Sequence, residues 1–114
     1  MNDFFDNWTV KERKGLLELC ILNAFICTER NGYELVNTLV AIPGLGVTEG
    51  TIYPLLSRLR VQGLVAARLE ESSEGPARKY YSLTTQGKEV MSDMNRYYEA
   101  LHAGALTLQK GSIP

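Results

Sequence analysis

Apolar residues follow a helical period through the first half of the chain, change to short β-prone runs between residues 64 and 83, and return to a helical period up to residue 108. From Lys14 to Cys27, leucines, isoleucines, Cys20, Ala24 and Phe25 make the segment apolar on most sides, with Glu18 and Asn23 the exceptions. Such a pattern predicts a central helix covered by its neighbours. Ahead of it, residues 1–13 set Phe4, Phe5 and Trp8 among polar residues, as expected of a short arm or helix that docks its aromatics. Asn31-Gly32 marks a turn, and Tyr33 to Ala41 pairs Leu35 with Leu39 and Val36 with Val40 at helical spacing. Ile42-Pro43-Gly44-Leu45-Gly46 ends this second helix.

A third helix is expected from Thr48 to the Gly63-Leu64 stop. Ile52, Leu55, Leu56 and Leu59 form its buried stripe, which leaves Gly50, Tyr53, Pro54, Ser57 and Val61 on the outer side with Arg58 beside them. Thr48 is a suitable N-cap. Pro54 would remove the hydrogen bond to the carbonyl of Gly50 and crowd it, but glycine leaves the backbone room to adjust, so the helix is read through with a kink or starts later, near Pro54. Leu64–Leu69 and Lys79–Leu83 read as two strands, and Glu71-Ser72-Ser73-Glu74-Gly75-Pro76 reads as the loop of their hairpin. Thr84 or Thr85 then caps a last helix. In it Met91, Met94, Tyr98, Leu101, Ala105 and Leu108 recur at alternating spacings of three and four, a short a/d seam suited to packing on a second copy of the chain or back on its own domain.

At 114 residues the chain makes one domain with a core of its own. Its 45% apolar and 22% charged residues are those of a soluble globular protein. No apolar run approaches the roughly 20 residues of a membrane span, and Asp3 and Asp6 argue against a basic signal-peptide start, so a cytoplasmic protein without a membrane partner is expected. Cys20 and Cys27, on one predicted helix and about 10.5 Å apart along its axis, are too far apart to form a disulfide.

The net charge of −1 does not announce nucleic-acid binding, but its distribution does. Residues 51–69 carry Arg58, Arg60 and Arg68 and no carboxylate; Arg78 and Lys79 follow, whereas acids gather at Glu70, Glu71, Glu74, Glu89, Asp93 and Glu99. A basic stripe on one face can coexist with a neutral total. The outer side of the third helix, small and almost free of carboxylates, suits close approach to a phosphate backbone.

Three helices, a hairpin and a terminal helix spell a mainly α fold with a small β-hairpin: a winged helix-turn-helix (1–83, with its N-terminal arm) plus a C-terminal dimerisation helix (84–114) in one compact unit. Gly50-Thr51-Ile52-Tyr53-Pro54-Leu55-Leu56, followed by Arg58-Leu59 and Gly63-Leu64, resembles the recognition-helix signature of the PadR family of bacterial transcriptional regulators. The stretch from Gly75 to Gly87 is similar to that family's wing and terminal-helix start, and Gly32-Tyr33-Glu34-Leu35 to its second helix. The resemblance covers roughly residues 11–108, with Arg60 where an acid is common and Ala77 in place of a frequent proline. The single short terminal helix is like the family's smaller branch.

The resemblance implies a homodimeric repressor that puts the third helix of each protomer in the major groove of double-stranded DNA and the wing along the backbone or in the adjoining minor groove, on half-sites about 34 Å apart. The residues assigned to DNA are Thr48, Gly50, Thr51, Tyr53, Pro54, Ser57, Arg58, Arg60, Arg78 and Lys79, with Tyr53 equally readable as core-edge packing. Phe4, Phe5, Trp8, Tyr97 and Tyr98 are the candidates for an aromatic effector pocket at the dimer interface, or else an aromatic dimer core. A winged helix serving as a protein-interaction module is the competing reading. No cofactor or metal is implied: the one histidine, His102, has no partner motif and is expected to be exposed, and no phosphate-binding loop or metal-ligand set is present. An enzyme is not expected.

Overall fold

A computed structural model describes residues 2–111; the first residue of the expected arm and the last three of the expected terminal segment lie outside the described residues. Four helices and three strands follow in the order α1 (Asp3–Asn23), β1 (Arg30–Asn31), α2 (Gly32–Val40), α3 (Glu49–Val61), β2 (Val65–Ser72), β3 (Gly75–Leu83) and α4 (Thr85–Gln109).

The arm and the central helix expected at the N-terminus are one helix. Asn2 caps it, its Oδ1 accepting from the N–H groups of Phe4 (3.0 Å) and Phe5 (3.2 Å), so the helical path is set before the apolar run begins. α1 stops earlier than expected, at Asn23. The Phe25 and Ile26 N–H groups bond three residues back, to Leu22 and Asn23, and the Arg30 Nε–H donates to the Ala24 carbonyl at 2.7 Å. A side chain from the next element thus satisfies a carbonyl that a helix end leaves open. Cys27 therefore lies beyond the helix rather than in it, exposed, while Cys20 remains in α1, half-buried, its thiol pushed up by that burial. Both are free thiols.

The core is formed by Leu17, Ile21, Leu22 and Phe25 of the α1 segment, Leu35, Val36 and Leu39 of α2, Leu45 of the connecting loop, Ile52, Leu56 and Leu59 of α3, and Val65 at the start of β2. Leu55 joins the α3 stripe only half-buried, and Val40, expected inside, is exposed because α2 ends there. A reciprocal capping box starts α2: the Asn31 side chain accepts from the Glu34 N–H at 2.8 Å and the Glu34 carboxylate accepts from the Asn31 N–H at 3.0 Å.

The hairpin is longer than expected, and its turn shorter. β2 and β3 pair antiparallel from Val65 opposite Leu83 to Ser72 opposite Gly75, with an irregularity between Glu70 and Ser72, so the residues read as a six-residue loop are mostly strand. A third strand was not expected: β1 pairs with β3, Arg30 opposite Tyr81 and Asn31 opposite Tyr80, giving the sheet order β1-β3-β2.

Candidate nucleic-acid interface

α3 is held at both ends and on both flanks. At its C-terminus Gly63 adopts φ 80°, a left-handed conformation natural to glycine. The Gly63 N–H then bonds Arg60 O and the Leu64 N–H bonds Leu59 O, both at 3.0 Å, a Schellman stop that turns the chain directly into the wing. Thr84 locks this corner to α4. Its hydroxyl donates to Gly63 O (2.7 Å) and accepts from the Gly87 N–H (2.9 Å), while its own N–H bonds Leu64 O (3.1 Å). The end of α3, the start of β2 and the start of α4 therefore meet at one threonine.

At the N-terminus Thr48 is the N-cap residue, but its side chain makes no capping bond; its hydroxyl instead faces the Thr51 hydroxyl at 3.3 Å. The Thr51 N–H bonds the Thr48 carbonyl at 3.0 Å, which leaves the Glu49 and Gly50 N–H groups of the first turn to an incoming anion. Pro54 stands inside a continuous helix, which excludes the late start near residue 54. Gly50 and Pro54 are both exposed, so the carbonyl freed by the proline faces water instead of the core.

With Ile52, Leu56 and Leu59 buried, the outward centre of α3 falls on Gly50, Pro54, Ser57 and Val61 at about 100° per residue. All four are exposed, Val61 at 80%. The helix's sole carboxylate, Glu49, sits in the first turn, where it complements the macrodipole. On one flank Arg58 reaches Glu18 of α1 at 3.3 Å. On the other, Tyr53 lies against Gly32 of α2, and Arg60, two turns further along, is close enough to the Tyr81 hydroxyl to oppose the upward shift that burial gives it.

Arg78 and Lys79 border a groove with Gly32, Tyr33, Tyr53 and Tyr81, so two of the wing cations come together with one α3 residue. Lys79 shares a strand face with Tyr81, which packs on the core, whereas Arg78 stands opposite Glu70 in register. Arg68 is turned away: it binds both carboxylate oxygens of Glu29 and covers the Tyr80 ring at 4.9 Å. The sequence reading missed Asn31, Tyr33 and Tyr81 as neighbours of the site. The Gly32-Tyr33 motif was visible, but β1, which draws α2 to the wing, was not.

The remaining site residues divide between the body and the surface of α4. Met91 and Met94 are half-buried against the core, while Tyr98, Leu101, Ala105 and Leu108 are exposed. Of the aromatic set, Phe5 stacks on Trp8 at 6.3 Å, and Trp8 and Tyr98 border one groove of about 530 Å³ between α1, the α2–α3 loop and α4. Tyr97 and Tyr98 line a neighbouring one with Leu16 and Leu101. Phe4 and Phe5, expected in the same pocket, line neither: both sit in the first turn of α1, and Phe4 is 81% exposed. His102 is exposed and stacks on Tyr98 at 5.7 Å. Among the described residues no helix is long and apolar enough to cross a membrane.

The helix pair α2–α3 followed by the β2–β3 hairpin defines a winged helix-turn-helix. The family of PadR-like transcriptional regulators matches residues 21–93. A PadR-like transcriptional regulator from Bacillus cereus ATCC 14579 is 37% identical, with a TM-score of 0.78 over 87% of this chain and 96% of its own. A PadR family regulator from Eggerthella lenta DSM 2243 is 29% identical, with a TM-score of 0.79 over 94% and 93%. Bacillus subtilis PadR, solved in complex with operator DNA, is 26% identical with a TM-score of 0.61, covering 68% of this chain and 45% of that one. The chain belongs to the PadR-like family of transcriptional regulators; it is a DNA-binding regulator and not an enzyme.

Proposed function

We propose that this regulator is a homodimeric repressor acting in the bacterial cytoplasm on a pseudo-palindromic operator, with α3 of each protomer in the major groove and the β2–β3 wing on the backbone. The observation that carries it is the outward centre of α3: Gly50, Pro54, Ser57 and Val61 form an exposed, carboxylate-free strip flanked by Arg58 and by Arg60, Arg78 and Lys79. A small, acid-free surface lets a polyanion approach, and the flanking cations supply counterion release. Bacillus subtilis PadR with its operator supports the same use of this fold here.

The exposed Tyr98, Leu101, Ala105 and Leu108 of α4 form the dimer seam in this reading, with the aromatics of α1 beside it. The groove between Trp8 and Tyr98 is the place for a small aromatic effector, which would act by altering how the two protomers sit on their half-sites.

The test is fluorescence anisotropy with the DNA upstream of the protein's own gene and a scrambled duplex of equal length, at several salt concentrations. Selective binding that weakens steeply with salt, at two protomers per duplex, and is abolished by Ser57→Glu supports the proposal. Equal, weak binding to both duplexes contradicts it, and an interaction insensitive to salt would favour a protein partner.

A further inference from the structure

We propose that the groove between the start of α2 and the wing seats one phosphodiester of the operator backbone, with Tyr53 positioning the protein on that backbone and not reading a base. This rests on the DNA-binding reading above and assigns the groove within it.

Three observations converge on the groove. First, Tyr53 lies about a quarter turn from the outward centre of α3, toward the wing, and it is folded back onto α2. The packing is close enough that a Cβ on Gly32 would come within 2.5 Å of the Tyr53 hydroxyl oxygen and 2.7 Å of its Cε1. The absent side chain of Gly32 thus makes the place where the ring lies, and a ring so placed borders the helix rather than projecting from it. Second, the groove so formed, about 470 Å³, gathers Arg78 and Lys79 with the phenols of Tyr33, Tyr53 and Tyr81, and none of its lining residues is acidic. Two cations and several O–H donors match a phosphodiester, which carries one negative charge and offers only acceptors. Third, Tyr33 stands 71% exposed on the first turn of α2, a large side chain that the core does not use.

The neighbouring carboxylates refine the assignment. Glu70 lies 3.9 Å from Arg68 and, with Arg78 opposite it in register, on the strand face away from Tyr81, whereas Lys79 stands opposite Leu69 on the face that Tyr81 shares. Glu34 is held in the α2 capping box. Lys79 is therefore the principal cation of the seat, and the tyrosine hydroxyls orient the phosphate oxygens. The groove runs beside the outward strip of α3, so its occupant is part of a polymer lying along that strip.

The experiment uses the full chain and its upstream duplex, with single phosphates replaced in turn by neutral methylphosphonates, beside an unmodified scrambled duplex. The seat predicts one position per half-site where neutralisation weakens the wild type several-fold but leaves a Tyr33→Phe, Tyr53→Phe, Lys79→Gln variant unchanged. Tyr53→Phe alone should weaken operator and scrambled DNA by the same factor, about 3- to 10-fold, leaving their ratio intact. Lys79→Gln should lower the slope of log K against log salt by about one. Gly32→Ala, which displaces the ring, should reproduce the Tyr53→Phe loss in a protein whose melting still shows a cooperative fold. A ratio that collapses in Tyr53→Phe while scrambled binding is unchanged makes Tyr53 a base reader and overturns the seat. So does the absence of any phosphate whose cost depends on the variant. If the wild type itself does not prefer its duplex, the DNA-binding reading falls, and the seat with it.

Discussion

The surface around α3 and the surface built by α1 and α4 are both left open to water, but they differ in what they leave there. Around α3 the exposed residues are glycine, proline, serine, threonine, arginine and lysine, with Glu49, Val61, Tyr33 and Tyr53 the main exceptions. Along the other surface stand Phe4, Phe5, Trp8, Tyr97, Leu101 and Leu108, all more than half exposed. At roughly 25 cal/mol per Å² of apolar surface, the second face loses several kcal/mol by remaining in water, whereas the first loses little. A polar, cationic face can wait, solvated, for a polyanion; a contiguous apolar face marks a contact surface for another protein surface. In the function proposed above the two faces answer to different partners, and Thr84 and Gly87 stand where α3, the hairpin and α4 meet.

The junction gives the largest expected effect. Gly87 is buried, and a Cβ there would strike the backbone carbonyl of Leu64, which has no freedom to retreat. Gly87→Ala should cost about 3 kcal/mol or more in urea unfolding, and it should weaken both faces together. If the variant unfolds like the wild type, the corner is not the rigid joint described. Next, Leu101→Asp with Leu108→Asp should convert a dimer to a monomer by sedimentation and reduce operator affinity about 100-fold through loss of bivalent binding, while the fold survives. An unchanged sedimentation coefficient would remove this seam from the interface.

Smaller effects test how the second face is fixed to the first. Asn23 and Asn95 exchange two amide hydrogen bonds, 3.0 and 2.8 Å, half-buried between α1 and α4. Asn95→Ala leaves the Asn23 amide without its partner and should cost about 1–2 kcal/mol in thermal unfolding, with operator selectivity retained. The least effect belongs to Glu29. The hydrogen bond from Arg68 holds its carboxyl below the usual carboxylate range. A folded value depressed in this way stabilises above the unfolded value and loses that contribution as pH falls through the folded one. Glu29→Gln should therefore melt slightly below the wild type at neutral pH and coincide with it in acid. A gap that widened in acid would reverse the sign of this interaction.

Much of the fold was legible where pattern and punctuation agreed. The α3 stripe and its Gly63 stop, the α2 periodicity and the Thr84 cap each rest on local rules, and the chain obeys them. What was hidden was set by partners remote in sequence. β1 has two residues, too few for any alternation, and exists because β3 offers it an edge. The α1 terminus depends on Arg30 bonding Ala24. In the site the same division holds: the outward strip of α3 followed from helical geometry, but the pairing of Arg58 with Glu18 and the packing of Tyr53 on Gly32 required the fold. Arg58 is not lost to DNA by its pairing, since an exposed ion pair is worth only about 0.2–1 kcal/mol and a phosphate can replace the carboxylate.

The most direct measurement is amide hydrogen exchange of the full chain with and without its upstream duplex. The account predicts slowed exchange on DNA binding across residues 48–60, the start of α2 and the wing around Arg78 and Lys79, and no DNA-dependent change over residues 97–108. Protection confined to α1 and α4, with the recognition helix and wing unchanged, would contradict it.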